Sequence, residues 1–244
     1  MGETKLTFKR YEKKYLLSAE GYARLSERMA DYIEPDEYHC STVCSIYYDR
    51  DDFRLIRHSI DAPVYKEKLR VRSYAPGSED CEAFVELKKK YKGIVYKRRV
   101  AMTGRQAEAW LSGAAEPPED SQMVREIQWF LHENEPSPKV LIACDRISWR
   151  SRENPELRIT FDKRIRWREK ELNFAAGDGG ELLLPDGEVL MELKIPGAAP
   201  LWLAHLLSEQ GLFPTSFSKY GMCYKNHLLQ EYMQEYIKGE MICV

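Results

Sequence analysis

The chain has 244 residues, 43% of them hydrophobic and 31% charged, and its 37 Lys and Arg against 39 Asp and Glu leave a formal net charge of −2. That length and apolar content suit a soluble fold with a real core, and the near-neutral balance excludes nucleic-acid binding by bulk charge, so any anion site must be local. No run approaches the roughly 20 apolar residues of a spanning helix, and the six cysteines, Cys40, Cys44, Cys81, Cys144, Cys223 and Cys243, show neither a CxxC pair nor zinc spacing. With no apolar signal region in Met1-Gly2-Glu3-Thr4-Lys5, the expectation is a cytoplasmic protein with free thiols and no direct membrane insertion, meeting a membrane only through a partner protein.

In chain order, a first strand is predicted near Lys5 to Tyr15. A helix opened by Ser18 follows, with Tyr22, Leu25, Met29 and Ile33 on one face and Pro35 beyond its end. Strands are expected at about Val43 to Asp49, Tyr65 to Tyr74, Cys81 to Lys90 and Ile94 to Met102, the last two as a hairpin through Lys92-Gly93. Helical segments near Gly104 to Leu111 and Ser121 to Glu133 flank the Pro117-Pro118 break. Strands from about Lys139 to Arg150 and Glu156 to Arg168 precede a glycine-rich loop, Ala175 to Gly180, and a strand near Glu188 to Ile195. From Pro200 the pattern is helical, breaks at Phe213 to Ser218, and resumes as an amphipathic helix from about Lys219 to Ile237. No repeat, low-complexity tract or linker marks a boundary, and residues 1–244 read as one domain.

Six of these stretches carry charge in an unusual way. In Lys66-Glu67-Lys68-Leu69-Arg70-Val71-Arg72, the period of two puts Lys66, Lys68, Arg70 and Arg72 on one face and Leu69 and Val71 on the other. The pattern recurs in Arg10-Tyr11-Glu12-Lys13-Lys14, Phe84-Val85-Glu86-Leu87-Lys88, Lys97-Arg98-Arg99, Arg158-Ile159-Thr160-Phe161-Asp162-Lys163-Arg164 and Glu188-Val189-Leu190-Met191-Glu192-Leu193-Lys194. One such strand is ordinarily a solvated face laced with ion pairs. Six together point to an interior built around an anion.

These pieces, with Ser45-Ile46-Tyr47-Tyr48-Asp49, Asp145-Arg146 and Phe217-Ser218-Lys219-Tyr220 in the same order, resemble the VTC (polyphosphate polymerase) domain of the CYTH-like triphosphate tunnel superfamily, in its stand-alone bacterial type. The resemblance spans nearly the whole chain. It implies an α+β fold, an antiparallel β-barrel tunnel flanked by helices, and transfer of the ATP γ-phosphate to a growing polyphosphate chain with a divalent metal, manganese ahead of magnesium. ATP and polyphosphate are then the partners, and no nucleic acid.

By carry-over from that family, Arg10, Lys68, Arg70, Arg72, Lys88, Lys97, Arg99, Arg146 and Arg158 hold the triphosphate or polyphosphate, Arg as bidentate forks and Lys as point charges. Lys14 and Lys219 hold the transferring phosphate or the polymer, and Ser218 adds a hydroxyl. Glu192 is the metal ligand, with Glu12, Glu86 and Asp162 as further candidates, because a hard cation bridging phosphate oxygens needs only one or two protein carboxylates. Phosphoryl transfer requires positioning and charge stabilisation rather than a protein nucleophile. Two rivals use the same cations: a tunnel-fold inorganic or nucleoside triphosphatase, and a non-catalytic polyphosphate-binding module. The five histidines read as surface or half-buried residues, the tryptophans as core packing, and Lys88-Lys89-Lys90-Tyr91-Lys92 as a run split between tunnel and surface.

Overall fold

The computed structural model describes residues 10–61, 63–92, 94–230 and 232–234. Among them lie nine strands: β1 (Arg10–Leu17), β2 (Ile33–Asp49), β3 (Tyr65–Ser73), β4 (Glu82–Tyr91), β5 (Ile94–Thr103), β6 (Ser137–Ser151), β7 (Arg158–Arg168), β8 (Glu181–Leu182) and β9 (Val189–Pro196). The α-helices are α1 (Ala19–Met29), α2 (Arg54–Ile60), α3 (Gly104–Leu111), α4 (Gln122–Asn134), α5 (Leu201–Glu209) and α6 (Lys219–Cys223), the last continuing into a π-helical turn, Tyr224–Leu228. The class is α+β, with the hydrogen-bonded order β1-β9-β7-β6-β2-β3-β4-β5 and β8 beside β7; β1 with β9, β9 with β7, β7 with β8, β2 with β3, β3 with β4 and β4 with β5 pair antiparallel. That order ends at β1 and β5, and no pairing between them closes the sheet into the expected barrel among the described residues.

Two compact units share the chain. Of the described residues, 10–41, 144–165 and 184–217 make the first, and 42–143, 166–183 and 218–234 the second; their boundaries fall inside β2, β6 and β7. In the first, Tyr15 and Leu17 of β1, Ile159 and Phe161 of β7, and Met191, Leu193 and Ile195 of β9 pack on Leu25 and Met29 of α1 and Leu203 and Leu206 of α5. In the second, Ile46, Leu69, Val71, Val85, Leu87 and Val100 pack beneath Trp110 of α3 and Val124, Ile127 and Phe130 of α4. Removing one of these fully buried side chains, as in Leu87→Ala, costs about 2–5 kcal/mol. In each unit the alternation therefore fixes one apolar face, and the charged residues between are held on the other.

The helix starts carry local signals. Ser18 Oγ accepts from Gly21 N, Ser121 Oγ from Val124 N, and Thr103 with Gln106 forms a reciprocal capping box. Two departures have physical causes. Strand β2 begins at Ile33, ten residues before the expected Val43, and includes Pro35; after Ile33 its first half mixes half-buried and exposed residues, so no apolar alternation marks it. Helix α2 has Phe53 at its N-cap with φ of 55° and no side-chain cap bond. Its free amides are instead met by Asp49, which accepts from Leu55 N and Ile56 N at 2.9 Å, a cap supplied from the end of β2.

Candidate functional site

The second unit presents a cationic face. Strand β3 directs Leu69 and Val71 into the core and leaves Lys68, Arg70 and Arg72 half-buried on the opposite face. The register sets Lys68 opposite Lys88 and Lys88 opposite Lys97, so three strands contribute one lysine each to a single row. In the next row Tyr47, Arg70, Glu86 and Arg99 stand side by side, and in the third Ser45, Arg72 and Phe84. Like charges directly opposite are destabilising in a sheet. In this row Lys97 is paired with Glu86 at 2.6 Å and Lys68 donates to Ser218 at 3.0 Å.

Glu86 organises this face. It is 1% exposed. Its Oε2 accepts from Arg70 Nε and Nη2 at 2.9 and 2.7 Å, and its Oε1 from Arg99 Nε at 2.7 Å, from Arg99 Nη2, and from Lys97 Nζ at 2.6 Å. Burial works against its charge, but Arg70, Arg72 and Lys97 overcome that and hold the carboxyl well below the usual carboxylate range. One acid thus fixes three of the cations while leaving the face positive. Burial lowers the Lys97 ammonium pKa even with Glu86 beside it.

Two tyrosines complete the cradle; Tyr47 lies in the motif Ser45-Ile46-Tyr47-Tyr48-Asp49, but neither it nor Tyr74 was a site candidate from the sequence. Tyr47 Oη accepts from Arg70 Nη1 at 3.3 Å, and Tyr74 Oη accepts from Arg99 Nη2 at 3.1 Å and Arg72 Nη1 at 3.5 Å. Burial alone would raise both phenols. Instead Arg70, Arg72 and Lys219 lower Tyr47 to about 8, and Arg72 and Arg99 lower Tyr74 to about 8. The clue for Tyr47 was its parity, opposite to that of the core residues Ile46 and Tyr48. The Tyr47 ring stacks on Tyr220, whose hydroxyl donates to Asp49 at 3.0 Å, so the cap of α2 also anchors α6. Ser218 is the N-cap of α6: its Oγ accepts from Gly221 N at 3.2 Å and from Lys68 Nζ at 3.0 Å, which leaves its own hydrogen to donate. Lys219 follows as the first residue of that helix.

The first unit carries a more balanced face. The register places Lys14, Glu192 and Thr160 across one row, and Glu12, Lys194 and Arg158 across the next. Lys14 Nζ lies 3.5 Å from Glu12 and 4.0 Å from Glu192 and donates to Phe217 O at 2.9 Å; Lys194 lies 3.5 Å from Glu192. Asp162, fully buried, takes a bidentate pair from Arg146 at 2.6 and 2.8 Å. Burial disfavours the Arg146 charge, and Asp162 more than restores it. Arg158 is exposed at the margin, 3.7 Å from Asp36. Thr160 is 6% exposed, and among the described residues its hydroxyl has no hydrogen-bond partner. Arg10 belongs to β1 by its backbone, and its side chain lies outside the described part of the protein.

This geometry separates the candidate metal ligands. Among the described residues no group of three or more His, Cys, Asp or Glu is placed to hold a metal ion. Glu86 and Asp162, both candidates from the sequence, are each bound by arginine in forked pairs and do not suit the role. Glu12 lies 3.5 Å from Lys14, and Glu192 lies 4.0 Å from Lys14 and 3.5 Å from Lys194 and also favours the Arg146 charge. Two such carboxylates fit a hard cation whose remaining ligands are phosphate oxygens and water.

Residues 9–227 match the model of the VTC domain family. The chain belongs to the VTC domain family. No curated protein matches it in sequence. Among solved structures, this VTC domain is similar to a putative adenylate cyclase from Bacillus halodurans, at 14% identity and a TM-score of 0.53 over 85% of this chain and 92% of that one. A putative adenylate cyclase from Vibrio parahaemolyticus gives 12% identity and a TM-score of 0.50 over 87% and 96%. These likenesses bear on the fold alone. No described helix of this VTC domain is long and apolar enough to cross a membrane.

Proposed function

We propose that this VTC domain is a metal-dependent polyphosphate polymerase, moving the γ-phosphate of ATP to the end of a polyphosphate chain, and that its cationic face lines a triphosphate tunnel. The observation that carries the reading is the row Lys68, Lys88 and Lys97 beside Arg70, Arg72 and Arg99, with Glu86 as the organising acid. Linear phosphate has a negative charge at every unit and no shape beyond that, so a ladder of cations at strand spacing matches it along its length.

The arginines take two phosphate oxygens each, the lysines neutralise charge without fixing direction, and Glu86 keeps the arginine forks from swinging away between turnovers. Lys14 in the first unit and Lys219 in the second each bring a positive charge that can offset negative charge on phosphate oxygens, and Ser218 Oγ–H is available to a phosphate oxygen. Glu12 and Glu192 would hold a divalent ion, manganese or magnesium, whose chemistry is to neutralise and align phosphate oxygens. The decisive test is incubation of the protein with ATP and manganese. A ladder of polyphosphate on a gel with little free phosphate supports the reading. Stoichiometric phosphate without polymer would indicate a triphosphatase, cyclic AMP a cyclase, and no product a binding module.

A further inference from the structure

The cationic face does not end at the lysine row. One step further along the hairpin, Lys66 of β3 stands opposite Lys90 of β4, with the same parity as Lys68 and Lys88. Positions 66, 68, 70 and 72 advance by two residues each, so the Lys66 row lies roughly 20 Å from the Arg72 row at strand rise. A triphosphate is much shorter than that.

The other side of the same strands behaves differently. Lys89, adjacent to Lys90 but of opposite parity, is met by Glu67 at 3.6 Å and Glu126 at 3.8 Å. Among the described residues neither Lys66 nor Lys90 has a carboxylate within salt-bridge distance. Lys66 is half-buried and donates to the carbonyl of Ser59 at 3.3 Å, while Lys90 is exposed. Burial, then the fields of Lys90 and Lys88, push the Lys66 ammonium pKa down. The hairpin neutralises one face and leaves like charges opposed on the other, at the point where a long linear anion leaving the inner rows would pass.

We propose that Lys66 and Lys90 form an outer subsite for long-chain polyphosphate, which distinguishes the polymer from the triphosphate held by the inner rows; the proposal rests on the polyphosphate reading above. The subsite grips phosphate groups remote from the reacting end and so retains the chain between additions.

The test is titration of tripolyphosphate and of a long-chain polyphosphate into wild-type protein and into Lys66→Met/Lys90→Met, in metal-free buffer so that no turnover occurs. Methionine preserves the apolar stem that Lys66 packs. The expected result is triphosphate affinity within about twofold of wild type and long-chain affinity reduced at least about tenfold, with a shallower salt dependence. Should the double variant melt early, Lys90→Met alone, at an exposed position, is expected to weaken the long chain about threefold and leave the triphosphate unchanged. Equal losses for both ligands, no loss for either, or the same loss for a single-stranded DNA of comparable length would overturn the outer subsite. If wild type binds neither phosphate ligand, the polyphosphate reading fails with it, a result distinct from binding that the variants do not alter.

Discussion

Replacing Glu86 by Gln keeps the side-chain shape and removes the charge on which Arg70, Lys97 and Arg99 converge. Breaking a buried ion pair from one side costs about 3–5 kcal/mol. Here the acid is 1% exposed but Arg99 and Lys97 are 36% and 42% exposed, so two of the three cations can turn toward water. The lower end applies, about 3 kcal/mol, or roughly 6–12 °C in Tm for a chain of this size. A bound triphosphate supplies the missing counter-charge. Its thermal shift should therefore be larger in Glu86→Gln than in wild type, with affinity equal or tighter, measured by thermal melts across a triphosphate series. The pH dependence has a definite sign. Because the folded carboxyl is held well below its ordinary range, its contribution is complete above the ordinary carboxylate pKa and is lost progressively as pH falls from there through the lower folded value. The Tm gap between wild type and variant should thus not narrow between about pH 7 and about pH 4.5. An unchanged Tm would refute the hub. A tenfold loss of triphosphate affinity would mean that Glu86 contacts the ligand's metal rather than arranging the cations.

Triphosphate affinity should fall as pH rises through about 8, where Tyr47 and Tyr74 become phenolates that compete for Arg70, Arg72 and Arg99. Stability should move the opposite way, rising from about pH 8 to about pH 10, since a phenol with a lowered folded pKa gains there; the Tyr47→Phe/Tyr74→Phe variant should flatten both profiles, and persistence of either would assign it to other groups. Glu192→Gln should reduce manganese-dependent turnover at least about 10²-fold with little change in Tm, whereas Asp162→Asn, which strands Arg146, should cost about 3 kcal/mol of stability; full activity in Glu192→Gln would remove it from the metal site. Thr160→Val deletes a buried hydroxyl without a partner among the described residues and should raise Tm by about 2–4 °C, from about 1 kcal/mol; a lower Tm would show that the hydroxyl is satisfied.

The sequence was most readable where side-chain parity and burial coincide. In β3 and β4, alternating Lys, Arg and Leu or Val set the two faces, the β4–β5 turn and the Ser18 cap of α1 followed from local signals, and α3 and α4 fell where helical segments were expected. Helix α2 was illegible because its cap is Asp49, on the preceding strand. The first half of β2 was illegible because, after Ile33, half-buried and exposed residues mix without apolar alternation. At the site, residue type and parity named the cations but not their partners. Whether a carboxylate binds metal or arginine depends on cross-strand register, which placed Glu86 between Arg70 and Arg99 and set Glu192 opposite Lys14. The open strand order likewise rests on pairings that no local pattern specifies.

The central claim is that the three-lysine row and its arginines exist to bind linear phosphate. It is tested most directly by calorimetric titration of tripolyphosphate into wild type, Lys88→Met and Lys89→Met, two adjacent lysines on opposite faces of β4. Lys88→Met should lose at least about tenfold in affinity, at the low end for a charged hydrogen bond, about 1.5 kcal/mol. Lys89→Met, whose partners are Glu67 and Glu126, should lose less than about twofold. Equal and small losses at both positions would mean that the cations are solvated surface charge, and would contradict the account.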